Sequence, residues 1–228
     1  MFLTAILRIS NTNMKLFLTS AGIVPEIIND FFKLVGKEPK NSKLIFVPTA
    51  ADPEEDKQFV EKDKKRLAEL GFKIEEITLQ TENMRSLDKK FYGADIIYVE
   101  GGNTFYLLDW VRKSGFDVAI KRFLENGGVY VGVSAGSMIA GPNIETAGWK
   151  HADNNIVGLK DLSAMGLVDF AISPHFDEIV AEAVRGAVAK VDYPTVALTD
   201  SEAVLVDGDK IRIAGPGDRI TFNNPKIQ

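Results

Sequence analysis

Short runs of consecutive apolar residues recur along the first 140 residues: Lys15–Thr19 (KLFLT), Lys43–Val47 (KLIFV), residues 95–99 (DIIYV) and Val129–Val133 (VYVGV). A strand built from such a run has no side left for water, so it must be covered on both faces. A further strand is expected over residues 72–79. Between these runs lie segments with apolar residues at helical spacing: 26–34 after Pro25, 52–70, 84–92, 104–113 and 116–125. Gly36, Gly71 and Gly115 stand where these helices should end. Strand and helix thus alternate. That order predicts an α/β fold with a mainly parallel sheet between two helical layers.

The later part changes character. Short strands are expected at 170–172, 195–199, 204–206, 211–213 and 219–221, with a helix over 177–190. The pair around Asp207-Gly208 reads as a hairpin, which predicts a small C-terminal β region. No internal repeat and no linker is visible, so a single domain is expected over residues 1–228. Residues 1–13 are expected to form a loose extension or to cover a hydrophobic edge. The Lys/Glu-rich stretch from Asp52 to Glu69 reads as the solvated face of a surface helix.

Composition narrows the chemistry. Acidic residues number 32 and basic residues 27, a net charge of −5, which gives no support for a nucleic-acid surface. No run of 18 apolar residues occurs, so no membrane-spanning helix is expected. The opening MFLTAILRIS lacks a basic n-region, a long h-region and a small-residue cleavage site, which leads to the expectation of a cytoplasmic protein. The chain has no cysteine, which excludes disulfides, a thiolate nucleophile and cysteine-ligated metals. It has two histidines, His151 and His175, too few for a three-histidine metal site. No metal and no cofactor is therefore expected.

Two glycine-rich junctions stand at strand ends. Gly101-Gly102-Asn103-Thr104 follows the strand at 95–99 and feeds a helix. Ligands of open α/β sheets bind at such ends, and paired glycines allow a tight turn with its N–H groups free. The same residues also read as a plain strand-to-helix turn. Gly132-Val133-Ser134-Ala135-Gly136-Ser137 has the G-x-S-x-G form of a nucleophile elbow. Ser134 would stand at a sharp turn, with the N–H of Ala135 beside it. The alternative is a packing turn with Ser134 or Ser137 capping the helix.

A serine hydroxyl needs a base. His175, in Ser173-Pro174-His175-Phe176, lies just past a short strand and is favoured over His151, which lies in the polar loop around Trp149. An acid must orient the base. Asp153 and Asp200 are the candidates, with Glu202 a close competitor to Asp200.

Taken in order and spacing, Gly101–Thr104, Gly132–Ser137, Ser173–Phe176 and Leu198-Thr199-Asp200 with Ala203 resemble the dipeptidase E-like serine peptidases, which include aspartyl dipeptidase and the cyanophycinases. The resemblance runs from about Lys15 to the C-terminus. It implies a flavodoxin-like α/β sandwich related to class I glutaminase domains, with serine in place of their cysteine. It further implies Ser134 as nucleophile, His175 as base, and an oxyanion hole from the N–H groups of Gly102 and Ala135. Asp200 is the favoured acid and Asp153 the other. The implied substrate is a small peptide or amide, with dipeptides bearing an N-terminal aspartate as one class. Gly101, Asn103 and Trp149 are the expected substrate contacts; Arg185 and Lys190 lie on the helix after His175 without an assigned role. A monomer or homodimer is expected, and neither nucleic acid nor membrane as partner. Two other functions share these residues: a small-ester hydrolase, and a non-catalytic binding or regulatory protein.

Overall fold

A computed structural model of the chain describes residues 14–150 and 152–227. Residues 1–13, His151 and Gln228 lie outside them, and with them the expectation of a loose extension. In chain order the strands are β1 (Lys15–Thr19), β2 (Lys43–Val47), β3 (Lys73–Glu76), β4 (Ile96–Val99), β5 (Val129–Val133), β6 (Ala171–Ser173), β7 (Thr195–Ala197), β8 (Ala203–Asp207), β9 (Lys210–Ala214) and β10 (Thr221–Phe222). The helices are α1 (Ile28–Val35), α2 (Gln58–Glu69), α3 (Met84–Phe91), α4 (Thr104–Ser114), α5 (Phe116–Glu125), α6 (Ala135–Met138) and α7 (Ala181–Val188).

The main sheet has seven strands in the order β3-β2-β4-β5-β1-β8-β9. The first five are mutually parallel; β8 runs antiparallel to β1, and β9 antiparallel to β8. The expected hairpin is present, but it pairs through β8 with β1 and so continues the main sheet. The separate small sheet is β10-β7-β6, in which β6 and β7 are parallel.

Successive side chains of each central strand enter different cores, as a pleated strand requires. Leu16, Leu18, Ile45, Val47, Ile97 and Val99 pack against α3, α4 and α5. Phe17, Leu44, Phe46, Ile96, Tyr98 and Val131 pack against α1 and α2. The result is a flavodoxin-like sandwich of helices, sheet and helices. β3 sits at the edge, where the polar KIEE pattern is tolerated.

Two helices, α2 and α7, start four or more residues later than expected. The chain from Thr49 to Ala51 forms a 3-10 turn and α2 begins at Gln58, not Asp52. The intervening segment crosses the carboxyl edge of the sheet, where the carbonyl of Ala50 accepts the N–H of Asn103 at 2.8 Å. α7 begins at Ala181 because Asp177 Oδ1 accepts the N–H of Val180 at 3.0 Å and holds a turn there.

Candidate active site

The carboxyl ends of β4, β5 and β1 are neighbours in the sheet. Glu100-Gly101, Ser134 and Ser20 therefore emerge side by side. From the small sheet, the parallel pair β6 and β7 brings the loops carrying His175 and Asp200 to the same place. That register is tied by Leu198 N–H to Ser173 O at 2.9 Å and Phe176 N–H to Leu198 O at 2.8 Å. The site lies where the carboxyl ends of the two sheets meet, as expected for an α/β sandwich.

Ser134 has φ 46° and ψ −105°, a conformation an L-residue adopts only when its surroundings impose it. Its N–H is held by Thr19 O at 3.0 Å, and its carbonyl accepts the N–H groups of Ser137 and Met138. The flanking glycines permit the turn. A Cβ on Gly132 would lie 2.6 Å from the Gly136 carbonyl carbon, and one on Gly136 would lie 2.3 Å from Val99 O. Ser137 is fully buried and its Oγ lies 2.7 Å from both Thr19 O and Gly132 O, so it braces the elbow from beneath.

Ser134 Oγ lies 3.0 Å from His175 Nε2, and His175 Nδ1 lies 2.7 Å from Asp200 Oδ1. With Nδ1–H donating to the carboxylate, Nε2 is left as an acceptor for the serine hydroxyl. The imidazole hydrogen bond is the main reason the Asp200 carboxyl sits below the usual carboxylate range, with smaller help from Ser20 and the Lys150 charge.

Ser20 carries no sequence motif, yet it touches both partners. Its Oγ accepts the backbone N–H of His175 at 2.6 Å and donates to Asp200 Oδ1 at 2.9 Å. The first contact holds His175 at its left-handed φ of 54°. Ser20 thus positions His175 and Asp200 together. Ser20→Ala is expected to lower kcat/KM by about 10- to 100-fold, the worth of a hydrogen bond to a charged group. Steady-state kinetics on the folded variant checks it, and an unchanged kcat/KM would remove Ser20 from this role.

The other expected residues fall as follows. Asp153 Oδ2 accepts the N–H of Thr104 at 2.7 Å, so its carboxylate sits at the N-terminus of α4 rather than on the imidazole. Asn103 caps the same helix, its Oδ1 accepting the Tyr106 N–H at 3.0 Å, while its Nδ2 holds Asn154 O. Trp149 stacks on Tyr193 at 6.4 Å. Glu202 is buried and its Oε2 accepts the N–H and hydroxyl of Thr199, so it braces the turn before Asp200. No hydrogen bond among the described residues uses the N–H of Gly102 or Ala135. Gly102 has φ 128°, and a Cβ there would lie 2.3 Å from Ala50 O. Gly101 faces the elbow, where its own Cβ would be 3.2 Å from Ser134 Cβ.

A cavity of about 440 Å³ opens beside Ser134 and His175. Gly101, Gly102 and Asp153 line it, whereas Asn103, Trp149, Arg185 and Lys190 do not. Its far wall corrects one expectation. Lys62, Asp63 and Arg66 of α2 line the cavity, although the stretch reads in sequence as a purely solvated face. Asp63 is buried, accepting the Tyr98 hydroxyl and lying 3.4 Å from Arg66 Nη1.

At the cavity's inner end Glu100 is 1% exposed. Its Oε1 accepts the Gly101 N–H at 2.8 Å, and its Oε2 has no partner among the described residues. Burial first, and then the Asp63 charge, raise the Glu100 carboxyl well above its ordinary value of 4.5; the Gly101 N–H and Arg66 offset this in part. Asp63 is raised too, mainly by burial. A carboxyl whose folded-state pKa is raised holds its proton longer in the folded than in the unfolded chain. Stability therefore falls as pH rises from the ordinary carboxylate range towards the folded-state value. Glu100→Gln removes this liability. Its melting temperature is expected to exceed that of the wild type at pH 7.5, with the gap narrowing towards pH 5. A constant gap in thermal melts across that range would contradict the assignment.

An α/β sandwich with a hydroxyl, an imidazole and a carboxylate aligned at its strand ends has the layout of the serine hydrolases. The model of peptidase family S51 matches residues 16–214, and the chain belongs to that family; it is a serine-type peptidase of the dipeptidase E-like group. It is 35% identical over 204 residues to the uncharacterized peptidase Lmo0363 of Listeria monocytogenes, covering 86% of this chain and 96% of that one. It is 27% identical over 199 residues to peptidase E of Streptomyces coelicolor, covering 83% and 78% of the two chains. A crystal structure of a Listeria monocytogenes EGD-e protein assigned as a peptidase E superposes with a TM-score of 0.78 at 30% identity, covering 90% of this chain and 99% of that one.

Proposed function

We propose that this peptidase hydrolyses small peptides or amides, dipeptides with an N-terminal aspartate among them, through an acyl-enzyme formed on Ser134. The observation that carries the reading is the continuous chain from Ser134 Oγ through His175 to Asp200. His175 Nε2 takes the hydroxyl proton as Ser134 Oγ attacks the scissile carbonyl carbon. The resulting oxyanion is stabilised by the N–H groups of Gly102 and Ala135, whose lack of a partner among the described residues supports this role. The imidazolium, steadied by Asp200, then gives its proton to the leaving amine. Water attacks the acyl-enzyme by the same route in reverse, His175 again taking and returning a proton. The strain at Ser134 is consistent with a nucleophile held clear of the sheet.

The test is turnover of a panel of Asp-X dipeptides, other dipeptides and simple esters. Hydrolysis of the dipeptides is expected. Turnover of esters alone would replace the peptide reading with that of an esterase.

A further inference from the structure

We propose that Glu100 is a positioning residue for the oxyanion donor: its carboxyl takes up the N–H of Gly101 and so leaves the N–H of Gly102 as the one donor of the turn after β4 open to a substrate oxygen. The inference rests on the proposed function above for the role of Gly102, but its evidence is the hydrogen bonding of the turn itself. Four successive N–H groups stand here. That of Gly101 donates to Glu100 Oε1 at 2.8 Å, that of Asn103 to Ala50 O at 2.8 Å, and that of Thr104 to Asp153 Oδ2 at 2.7 Å. Only the Gly102 N–H has no acceptor among the described residues. Free N–H groups at the start of a helix attract anions. With three of the four engaged, the turn suits a single oxygen rather than a two-pronged carboxylate.

The donor of Gly102 belongs to the peptide plane between two glycines, and such a plane turns easily. Gly102 has φ 128°, in the region that favours glycine. Half a turn of that plane would carry Gly102 to an ordinary negative φ and put a carbonyl where the N–H now points. The neighbours on each side oppose this. On the far side, the bond from Asn103 to Ala50 fixes the next peptide, and Gly102 lies so close over the Thr49–Ala51 turn that a Cβ would meet Ala50 O at 2.3 Å. On the near side the hold is Glu100. Its own N–H is tied to Val47 O at 3.0 Å, and its 1% exposed side chain grips the next N–H, so the plane between Glu100 and Gly101 is anchored at both ends. Gly101 in turn lies against Ser134, so any shift of this plane moves the donor relative to the attacking oxygen.

The experiment compares two variants. Glu100→Met keeps the length of the side chain and removes its acceptor; Glu100→Gln restores an acceptor oxygen. Glu100→Met is expected to lower kcat for a cleaved dipeptide about 10- to 100-fold with little change in KM, since the donor serves the transition state. Glu100→Gln should recover most of that loss. An equal loss in both variants, or an unchanged kcat in Glu100→Met, overturns the proposal. A second arm needs no amide. With diisopropyl fluorophosphate the Ser134 Oγ–P bond forms, fluoride leaves, His175 takes the hydroxyl proton and the phosphoryl oxygen enters the oxyanion hole. Its labelling rate should follow the same order of variants. Labelling in that order with no amide turned over would leave the positioning role standing and fell the hydrolytic reading. Amide turnover with Glu100→Met at the wild-type rate in both arms would fell the positioning role alone, and a wild type that is neither labelled nor active would fell both. Amide exchange by NMR on the wild type depends on no variant's folding. The Gly102 N–H should exchange fastest of the four and become protected on labelling; a Gly102 N–H already protected in the free protein would overturn the proposal.

Discussion

Ser134→Ala is expected to lower kcat/KM for a cleaved dipeptide by about four to six orders of magnitude, the scale on which loss of an activated serine acts elsewhere. The hydroxyl is the sole group at the elbow turn placed against an imidazole nitrogen, at 3.0 Å from His175 Nε2. Alanine keeps the backbone and the N–H of Ala135, so the fold and the proposed oxyanion donors remain. Only the attacking oxygen is lost. His175→Ala should cost about as much, and the double variant little more than either, because nucleophile and base act as one unit. Additive losses would show that the two residues serve separate steps. Turnover by Ser134→Ala within tenfold of the wild type would end the assignment of the nucleophile.

Much of this site was legible because each part stands at the end of an apolar strand. Ser134 and Gly101 follow VYVGV and DIIYV, whose continuous apolar character points to central, parallel strands. His175 and Asp200 were legible through their motifs, since the strands before them have only three residues each. Ser20 was missed for a physical reason. It becomes a neighbour of Ser134 only through the pairing of β1 with β5, a contact between segments more than a hundred residues apart. Knowing that both strands are parallel and central would have directed attention to any polar residue at the end of β1. Glu100 stands between the strand and the glycine turn, and an acid that ends a buried strand should itself raise the question of a partner. Asp63 was concealed by its neighbours: amid lysines and glutamates its charge reads as solvated, and only the packing of α2 over β4 turns it inward. Local pattern therefore pointed to Ser134 and His175, which the structure brings together, while the acidic wall of the cavity depended on tertiary placement.

Asp200→Asn is expected to reduce kcat/KM by about three to four orders of magnitude, with Asp153→Asn reducing it less than tenfold. The contrast follows from what each carboxylate holds. Asp200 Oδ1 accepts from both His175 Nδ1 and the Ser20 hydroxyl. An asparagine there can turn its NH2 towards Nδ1, which selects the tautomer protonated on Nε2. That nitrogen then donates to Ser134 Oγ and cannot take its proton. The imidazolium formed during attack also loses its counter-charge. Asp153, by contrast, accepts the Thr104 N–H at the start of α4. An asparagine Oδ1 can still accept that N–H, so the change there removes mainly a favourable charge at a helix N-terminus, worth about 0.3–1 kcal/mol of stability. Asp153 also lines the cavity, so a modest rise in KM is compatible with its place. Both variants should be read by kcat and KM separately, beside thermal melts. A collapse of kcat in Asp153→Asn, with Asp200→Asn nearly active, would transfer the acid's role to Asp153, in the connection between α6 and β6, and require the imidazole to turn away from Asp200 in the working enzyme.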